Sequence, residues 1–184
     1  MPVEYEDLEG KDGSFENVPG TEQIIYFAPI RDILTAPDPP EFAGITVLEE
    51  ASVIDGTATP ISMKTGKKFS KMKILMNTGK VTGEMTGDRG SRAVKTMFEA
   101  VYIGSTAELY GLQRFAKEDE YVILAPHANG DVQQIGRIKK PALMTISTDT
   151  GTDEEGTKGG TITVEATDVS GWLYDGDIPL TAAT

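Results

Sequence analysis

Few side chains in this 184-residue chain could do chemistry, and their spacing narrows the field further. With no cysteine and one histidine, a thiolate nucleophile, a disulfide framework and a cysteine zinc site are excluded. His127 lies between Pro126 and Ala128-Asn129-Gly130-Asp131, where Asn-Gly predicts a tight primed turn because both residues tolerate positive φ. It reads as an exposed hairpin residue, since a triad would need an elbow of the form G-x-S-x-G and none occurs. The glycine-rich run TGEMTGDRGS invites a phosphate cradle, but the chain has no G-x-x-x-x-G-K-[ST] pattern. Asp149, Asp153, Glu154 and Glu155 supply oxygen ligands without the alternating spacing and distal glutamate of an EF-hand, so a solvated acidic loop is expected. Trp172 and Tyr174 could form a sugar platform, pack the last strand or meet another subunit. Lys67, Lys68, Lys71 and Lys73 have only Phe69 as an interleaved aromatic, which favours a subunit contact or a solvated face over stacked nucleic acid. No catalytic residue, cofactor or metal ligand is assigned, and the expectation is a protein that is not an enzyme.

Charge is more informative. Lys and Arg number 17 against 29 Asp and Glu, a net charge of −12 that opposes grip on phosphates. Yet residues 64–95 carry nine cations against Glu84 and Asp88, +7, which leaves −19 on the rest. Lys80, Arg89 and Arg92 belong to this basic block. Glu4, Glu6, Asp7, Glu9, Asp12 and Glu16 against Lys11 make the start acidic, and eight carboxylates against Lys158 do the same between residues 149 and 177. A basic middle between acidic ends speaks of partners and association. No apolar run approaches the roughly 20 residues that span a bilayer, and the acidic start is unlike a signal peptide. A protein made in the cytoplasm, and kept or assembled there, is expected, without a membrane partner.

Hydrophobic periodicity then supplies the elements that hold these residues. Residues 1–22 are acidic and poor in apolar groups, an arm expected to be loose until a neighbour orders it. Residues 23–184 are expected to form one domain. IIYFA (24–28) is a first strand, and ITVLEEASVI (45–54) returns to β-branched residues. In KMKILM, Met72, Ile74 and Met76 share one pleat face. Glycines at 79, 83, 87 and 90 suggest a long flexible hairpin or loop over residues 78–91, within a protruding basic extended element over about 64–95. KTMFEAVYI (95–103) is apolar on both rows, as in a strand covered on both faces. In STAELYGLQRFA, Ser105 and Glu108 have capping-box spacing, and Leu109, Leu112, Phe115 and Ala116 recur at helical spacing. YVILAPH, VQQIGRI, LMTIST (143–148) and TITVEAT (161–167) are further strands. The fold class is mainly β, a β-barrel or sandwich with one flanking α-helix and a long protruding hairpin.

Strands, a long hairpin, a strand, one helix, a β-hairpin and two more strands form a particular order, and several phrases within it resemble a known family. STAELYGLQRFAKEDEYVILAPHANGDVQQIGR, then GGTITVEATDVSGWLYDGDI (159–178), and the opening VPGTEQIIYFAPIRDI, resemble the tail tube proteins of long-tailed bacteriophages, over about two thirds of the chain. The resemblance implies an architecture related to type VI secretion tube proteins. It implies a virion protein of the tail that assembles in the host cytoplasm into rings, commonly hexameric, stacked into a hollow tube through which DNA passes without specific binding. Its partners would be itself and other tail proteins, with the hairpin and terminal arms between rings. A tail terminator, baseplate ring or capsid decoration protein of similar fold is the alternative. Contact candidates are Lys67, Lys68, Lys71, Lys73, Lys80, Arg89 and Arg92 of the basic block, Glu4, Glu6 and Asp7 of the arm, and Trp172 and Tyr174. An inner wall bearing carboxylates would repel phosphates and let DNA slide.

Overall fold

Tyr-Val-Ile-Leu-Ala-Pro, residues 121–126, is six successive residues whose one polar side-chain group is the Tyr121 hydroxyl, and all six are buried. A strand can bury both alternating rows only if it lies between two apolar layers. The architecture follows from that requirement. A computed structural model describes residues 20–104, 106–149 and 159–183. In chain order the strands are β1 (Ile24–Pro29), β2 (Ile33–Thr35), β3 (Val53–Asp55), β4 (Ser62–Met63), β5 (Ser70–Lys73), β6 (Lys80–Thr86) and β7 (Ala93–Ile103). The helix α1 (Ala107–Phe115) follows, then β8 (Tyr121–Pro126), β9 (Val132–Ile135), β10 (Leu143–Asp149), β11 (Gly159–Asp168) and β12 (Trp172–Asp175).

β8 sits inside a six-stranded sheet of order β3-β12-β9-β8-β1-β5, and a four-stranded sheet, β10-β11-β7-β6, packs over one face of it. Between the two lies the larger core. Ile25, Tyr121, Ile123 and Ile135 come from the first sheet, and Phe98, Ala100, Met144, Ile162 and Val164 from the second. The opposite row of β8, Val122 and Leu124, faces a second core with Ile54, Phe69, Trp172 and Tyr174. That core is roofed by the small β2-β4 sheet, which contributes Ile33 and Met63, and by the end of the chain. Phe69 N donates to Pro179 O at 3.0 Å and Ala183 N to Lys67 O at 3.0 Å, so residues 179–183 are strapped along the approach to β5. The arrangement is a layered sandwich, and no closed barrel forms among the described residues.

Several elements differ from the sequence reading. Residues 45–54 form a strand only from Val53; before it lie the 3-10 turns Phe42–Gly44 and Glu49–Ser52. Adjacent Glu49 and Glu50 would put one carboxylate on the inward row of any strand, and the chain turns there. The glycine-rich run is an edge strand instead of a loop, paired with β7 from Lys80 opposite Glu99 to Thr86 opposite Ala93. The glycines mark its end: Gly87 (φ +91°) and Gly90 (φ +100°) take the left-handed backbone of the turn into β7. β7 is covered on one face only, with Phe98 and Ala100 inward and Glu99 exposed. The expected two-residue β8-β9 turn is longer. His127 N donates to Asp131 O at 2.7 Å and Gly130 N to His127 O at 3.0 Å, with positive φ at Gly130 but not at Asn129. This three-residue loop ends in a left-handed glycine, a common hairpin alternative. Residues 1–19 of the expected arm lie outside the described residues, and its last residues are tied down: Thr21 bridges His127 and Glu22 N donates to Pro126 O at 2.8 Å.

α1 closes one opening of the sandwich. Its N-cap is Thr106, whose hydroxyl accepts from Leu109 N at 3.3 Å. With Thr106 as cap the third helical position is Leu109, so Glu108 is out of register for the box expected with Ser105, which lies outside the described residues. Leu109 is 3% exposed and packs in the larger core, with Leu112 and Ala116 half-buried against it. Phe115, expected on the same stripe, is 60% exposed. Gln113 Nε2 donates to Ile146 O at 2.8 Å, pinning the helix to the outer strand β10. Leu109→Ala should cost about 2–5 kcal/mol in urea unfolding, as for core leucines, whereas Phe115→Ala should stay within about 0.5 kcal/mol of the parent.

Candidate assembly surface

The basic block does not stay together in three dimensions. Lys64 Nζ donates to Arg31 O at 2.6 Å and Lys67 pairs with Asp32 at 3.2 Å, so both lie beside the small third sheet. Lys68 is exposed in the same connection. Lys71 and Lys73 stand exposed on β5, the outer strand of the six-stranded sheet. Lys80 opens β6, on the other sheet, and Arg89 and Arg92 are exposed at the tip of the β6-β7 hairpin. Lys95 is spoken for by Glu165 at 2.6 Å. Among the described residues no ion pair engages Lys68, Lys71, Lys73, Lys80, Arg89 or Arg92. The expected single basic projection is thus two separate basic edges on two sheets.

Trp172 and Tyr174 are inside the subunit, 5% and 3% exposed, and form part of the second core. They offer no surface to a partner. Glu4, Glu6 and Asp7 lie outside the described residues, as do Asp153, Glu154 and Glu155. Among the described residues no cluster of three or more His, Asp or Glu side chains is placed to hold a metal ion. His127 is half-buried where an exposed turn residue was expected, because Thr21 pairs with it.

Two features of the four-stranded sheet have the character of an interface. Its outer face alternates with the core row and is mostly hydroxyl and charge: Thr145, Thr161, Thr163 and Thr167 beside Lys80, Glu84, Lys95, Glu99 and Glu165. Its outermost strands, β6 and β10, each pair on one side only. β6 is the more open, with Met85 71% exposed, and a row of unpaired backbone groups of this kind is a template for another strand. On β10, Leu143 is 54% exposed and Gln113 already occupies Ile146 O.

The strongest polar cluster is internal, and sequence inspection missed it. Arg137 Nη2 donates to Asp168 Oδ1 at 2.9 Å, and its Nε to Oδ2. Trp172 Nε1 also donates to Oδ2, at 2.9 Å, and Val169 N to Oδ1, at 2.8 Å. Asp38 approaches Arg137 from outside at 3.9 Å and bonds Lys139 at 2.8 Å. Burial pushes the Asp168 carboxyl up, but the guanidinium, the indole and the backbone amide outweigh it and hold the group below the usual carboxylate range. The cluster is a clamp between the end of β11, β12 and the segment after β9.

Asp168→Asn leaves Arg137, itself 14% exposed, with only the exposed Asp38 at 3.9 Å as counterion and should destabilise by about 3 kcal/mol, as breaking one side of a buried pair does. A depressed folded-state pKa contributes stability that is complete above the unfolded value and disappears as pH falls through the folded one. Parent and Asp168→Asn should therefore converge in urea midpoint as the pH drops below about 4, the ordinary aspartate value. At the alkaline end burial, then Asp119, against the pull of Arg31, push the Tyr121 phenol up to about 12. Stability present below about pH 10 should be lost as pH rises toward that value, and Tyr121→Phe should flatten this limb. No protein-family model, no curated protein and no solved structure matches the chain.

Proposed function

We propose that the chain is a structural subunit that associates with copies of itself, and that the assembly is the tube of a bacteriophage tail, a conduit for DNA. The observation that carries the reading is the four-stranded sheet with two unlike outer strands, β6 open and β10 with one acceptor taken by Gln113, and a hydroxyl-rich, charged outer face. A sheet of this kind can continue from copy to copy, β6 of one against β10 of the next, a head-to-tail contact that closes into a ring when the rotation between copies divides the circle. In such a ring the outer face of the sheet becomes a continuous wall. Named by residue, that wall carries Glu84, Glu99 and Glu165 against Lys80 and Lys95, with Lys95 neutralised locally by Glu165. A wall without strong positive charge does not hold a phosphate backbone by counterion release, which suits a polymer that must slide.

The order of strands and helix and the phrases that resemble those of tail tube proteins favour the same reading. The two basic edges are opposite in sign to the acidic segment 1–16 and to the acidic run Asp153, Glu154 and Glu155, so opposite charges can set the polarity of contact between copies.

Negative-stain electron microscopy of the purified protein at low and high salt tests this directly. Hollow tubes of uniform width are expected at low salt. Closed rings that never stack would move the chain to the terminator, baseplate or decoration class, and a monomer at every concentration would sink self-assembly altogether. Light scattering should show polymerisation weakening as salt approaches 1 M, where the screening length falls to about 3 Å; growth that is unchanged or faster there would remove the electrostatic part. Met85→Pro, on an exposed position of β6 whose amide points to the open edge, should abolish assembly and leave the thermal unfolding of the subunit within a few degrees of the parent.

A further inference from the structure

Beside α1 lies another strand edge, that of β5, and it is built differently from β6. β5 pairs with β1 alone, and on its outer side Phe69 N is taken by Pro179 O at 3.0 Å and Leu75 N by Val101 O at 2.7 Å, which leaves the stretch from Lys71 to Lys73 open. Ile74 N donates inward to Gln23 O at 2.8 Å, and amides alternate sides along a strand. The amides of Lys71 and Lys73 therefore point away from β1, into a groove of about 420 Å³ between β5 and the helix. Its floor is apolar, from Phe27, Met72, Tyr102 and Leu112, while Lys71 and Lys73 stand on the opposite pleat face from Met72. Glu108 lies on the helix side. An occupant that continues the sheet must present an apolar row toward Met72 and the helix and an anionic row toward the lysines. An anionic row on the helix side would meet Glu108.

Residues 3–7 of the chain read Val-Glu-Tyr-Glu-Asp. As a strand, Val3 and Tyr5 fall on one face and Glu4 and Glu6 on the other. Facing residues of paired strands share a face, so the register that lays Val3 and Tyr5 beside Met72 sets Glu4 and Glu6 beside Lys71 and Lys73. Reach is ample. Gly20, where the described chain begins, precedes β1 by four residues on the side where Ile24 pairs with Lys73. The gap to the groove is therefore on the order of 15–20 Å, against up to about 40 Å for residues 8–19 extended.

We propose that the β5-α1 groove is a strand-addition site and that its occupant is the chain's own segment 3–7, docked in the unassembled subunit with its glutamates against Lys71 and Lys73. Tethering sets the effective concentration in the millimolar range, well above that of another copy in dilute solution. The inference is independent of the tube reading, since a chain that never polymerises can still cover its own β5.

Amide hydrogen exchange on the full chain, at a concentration where light scattering reports monomers, tests the proposal. The Lys71 and Lys73 amides should exchange at least about tenfold more slowly in the parent than in Glu4→Lys/Glu6→Lys, with β8 equally protected in both. Lys71→Glu/Lys73→Glu should lose the protection as well, and combining the two pairs should restore it. Equal exchange in parent and Glu4→Lys/Glu6→Lys overturns the proposal, as does failure of the combined reversal to restore protection. Protection that grows with protein concentration overturns it too, and gives the groove to a second copy. Should Lys71→Glu/Lys73→Glu loosen β8, the substitutions at Glu4 and Glu6, far from the cores in sequence, decide alone.

Discussion

Double-sided burial of β8 is the constraint on which the rest of the molecule depends. Val122, Ile123, Leu124 and Ala125 are each 0% exposed, and each such side chain contributes about 1–3 kcal/mol by leaving water. That gain exists only while both flanking layers are in place. The four-stranded sheet satisfies the Ile123 row, and the second core satisfies the Val122 row. The second core is assembled from short pieces, a three-residue β2, a two-residue β4 and the strap of residues 179–183. None of these is long enough to be stable as an isolated ribbon; they are held because β8, Phe69 and Trp172 offer them an apolar floor. Pro29 and Pro126 close β1 and β8, where a missing amide does no harm.

The Asp168 clamp serves the same constraint from the other side. Trp172 fills the second core yet carries one N–H that must find an acceptor. Asp168 accepts it and, in the same two oxygens, holds Arg137 and the Val169 amide. Four donors converge on one carboxylate that is 8% exposed, so the burial of a charge is balanced by bonds instead of left open. This ties the end of β11, in one sheet, to β12 and the segment after β9, in the other.

How much of this was legible follows from where the information sits. The unbroken apolar run of β8 and the alternation of β10 and β11 are local, and they read directly as strands. The helix read correctly because Leu109 and Leu112 repeat at helical spacing, although its cap fell on Thr106, one residue later than the S-x-x-E pattern suggests, and Phe115 points to solvent. β6 was hidden by its glycines: a side chain on Gly83 of this edge strand would meet only Val94 of β7, its Cβ at 4.0 Å, so glycine costs it little packing. The 45–54 segment misled through its β-branched content, which the adjacent pair Glu49-Glu50 overrides. The Arg137-Asp168 pair, 31 residues apart, and the separation of Lys71 from Lys80 onto different sheets are properties of topology, and no local pattern carries them. That is why a basic block that is continuous in sequence becomes two edges in space.

The two edges of the four-stranded sheet are unlike in a way that bears on the proposed assembly. β6 begins with Lys80 and runs into a turn bearing Arg89 and Arg92, whereas β10 ends at Asp149 and is followed in sequence by Asp153, Glu154 and Glu155. Two copies of β6 laid antiparallel would bring the arginines of each turn toward Lys80 of the other, a like-charge contact that disfavours a closed two-fold dimer. β6 against β10, antiparallel as the strand order of the sheet requires, sets Lys80 toward the Asp149 end of β10, a contact of opposite signs. α1 adds a steric bias, since Gln113 already fills one acceptor of β10 and leaves that edge less open than β6. An interface between unlike edges cannot saturate in a pair: each added copy presents again the edge its predecessor used, and growth stops only when the sheet meets itself in a ring.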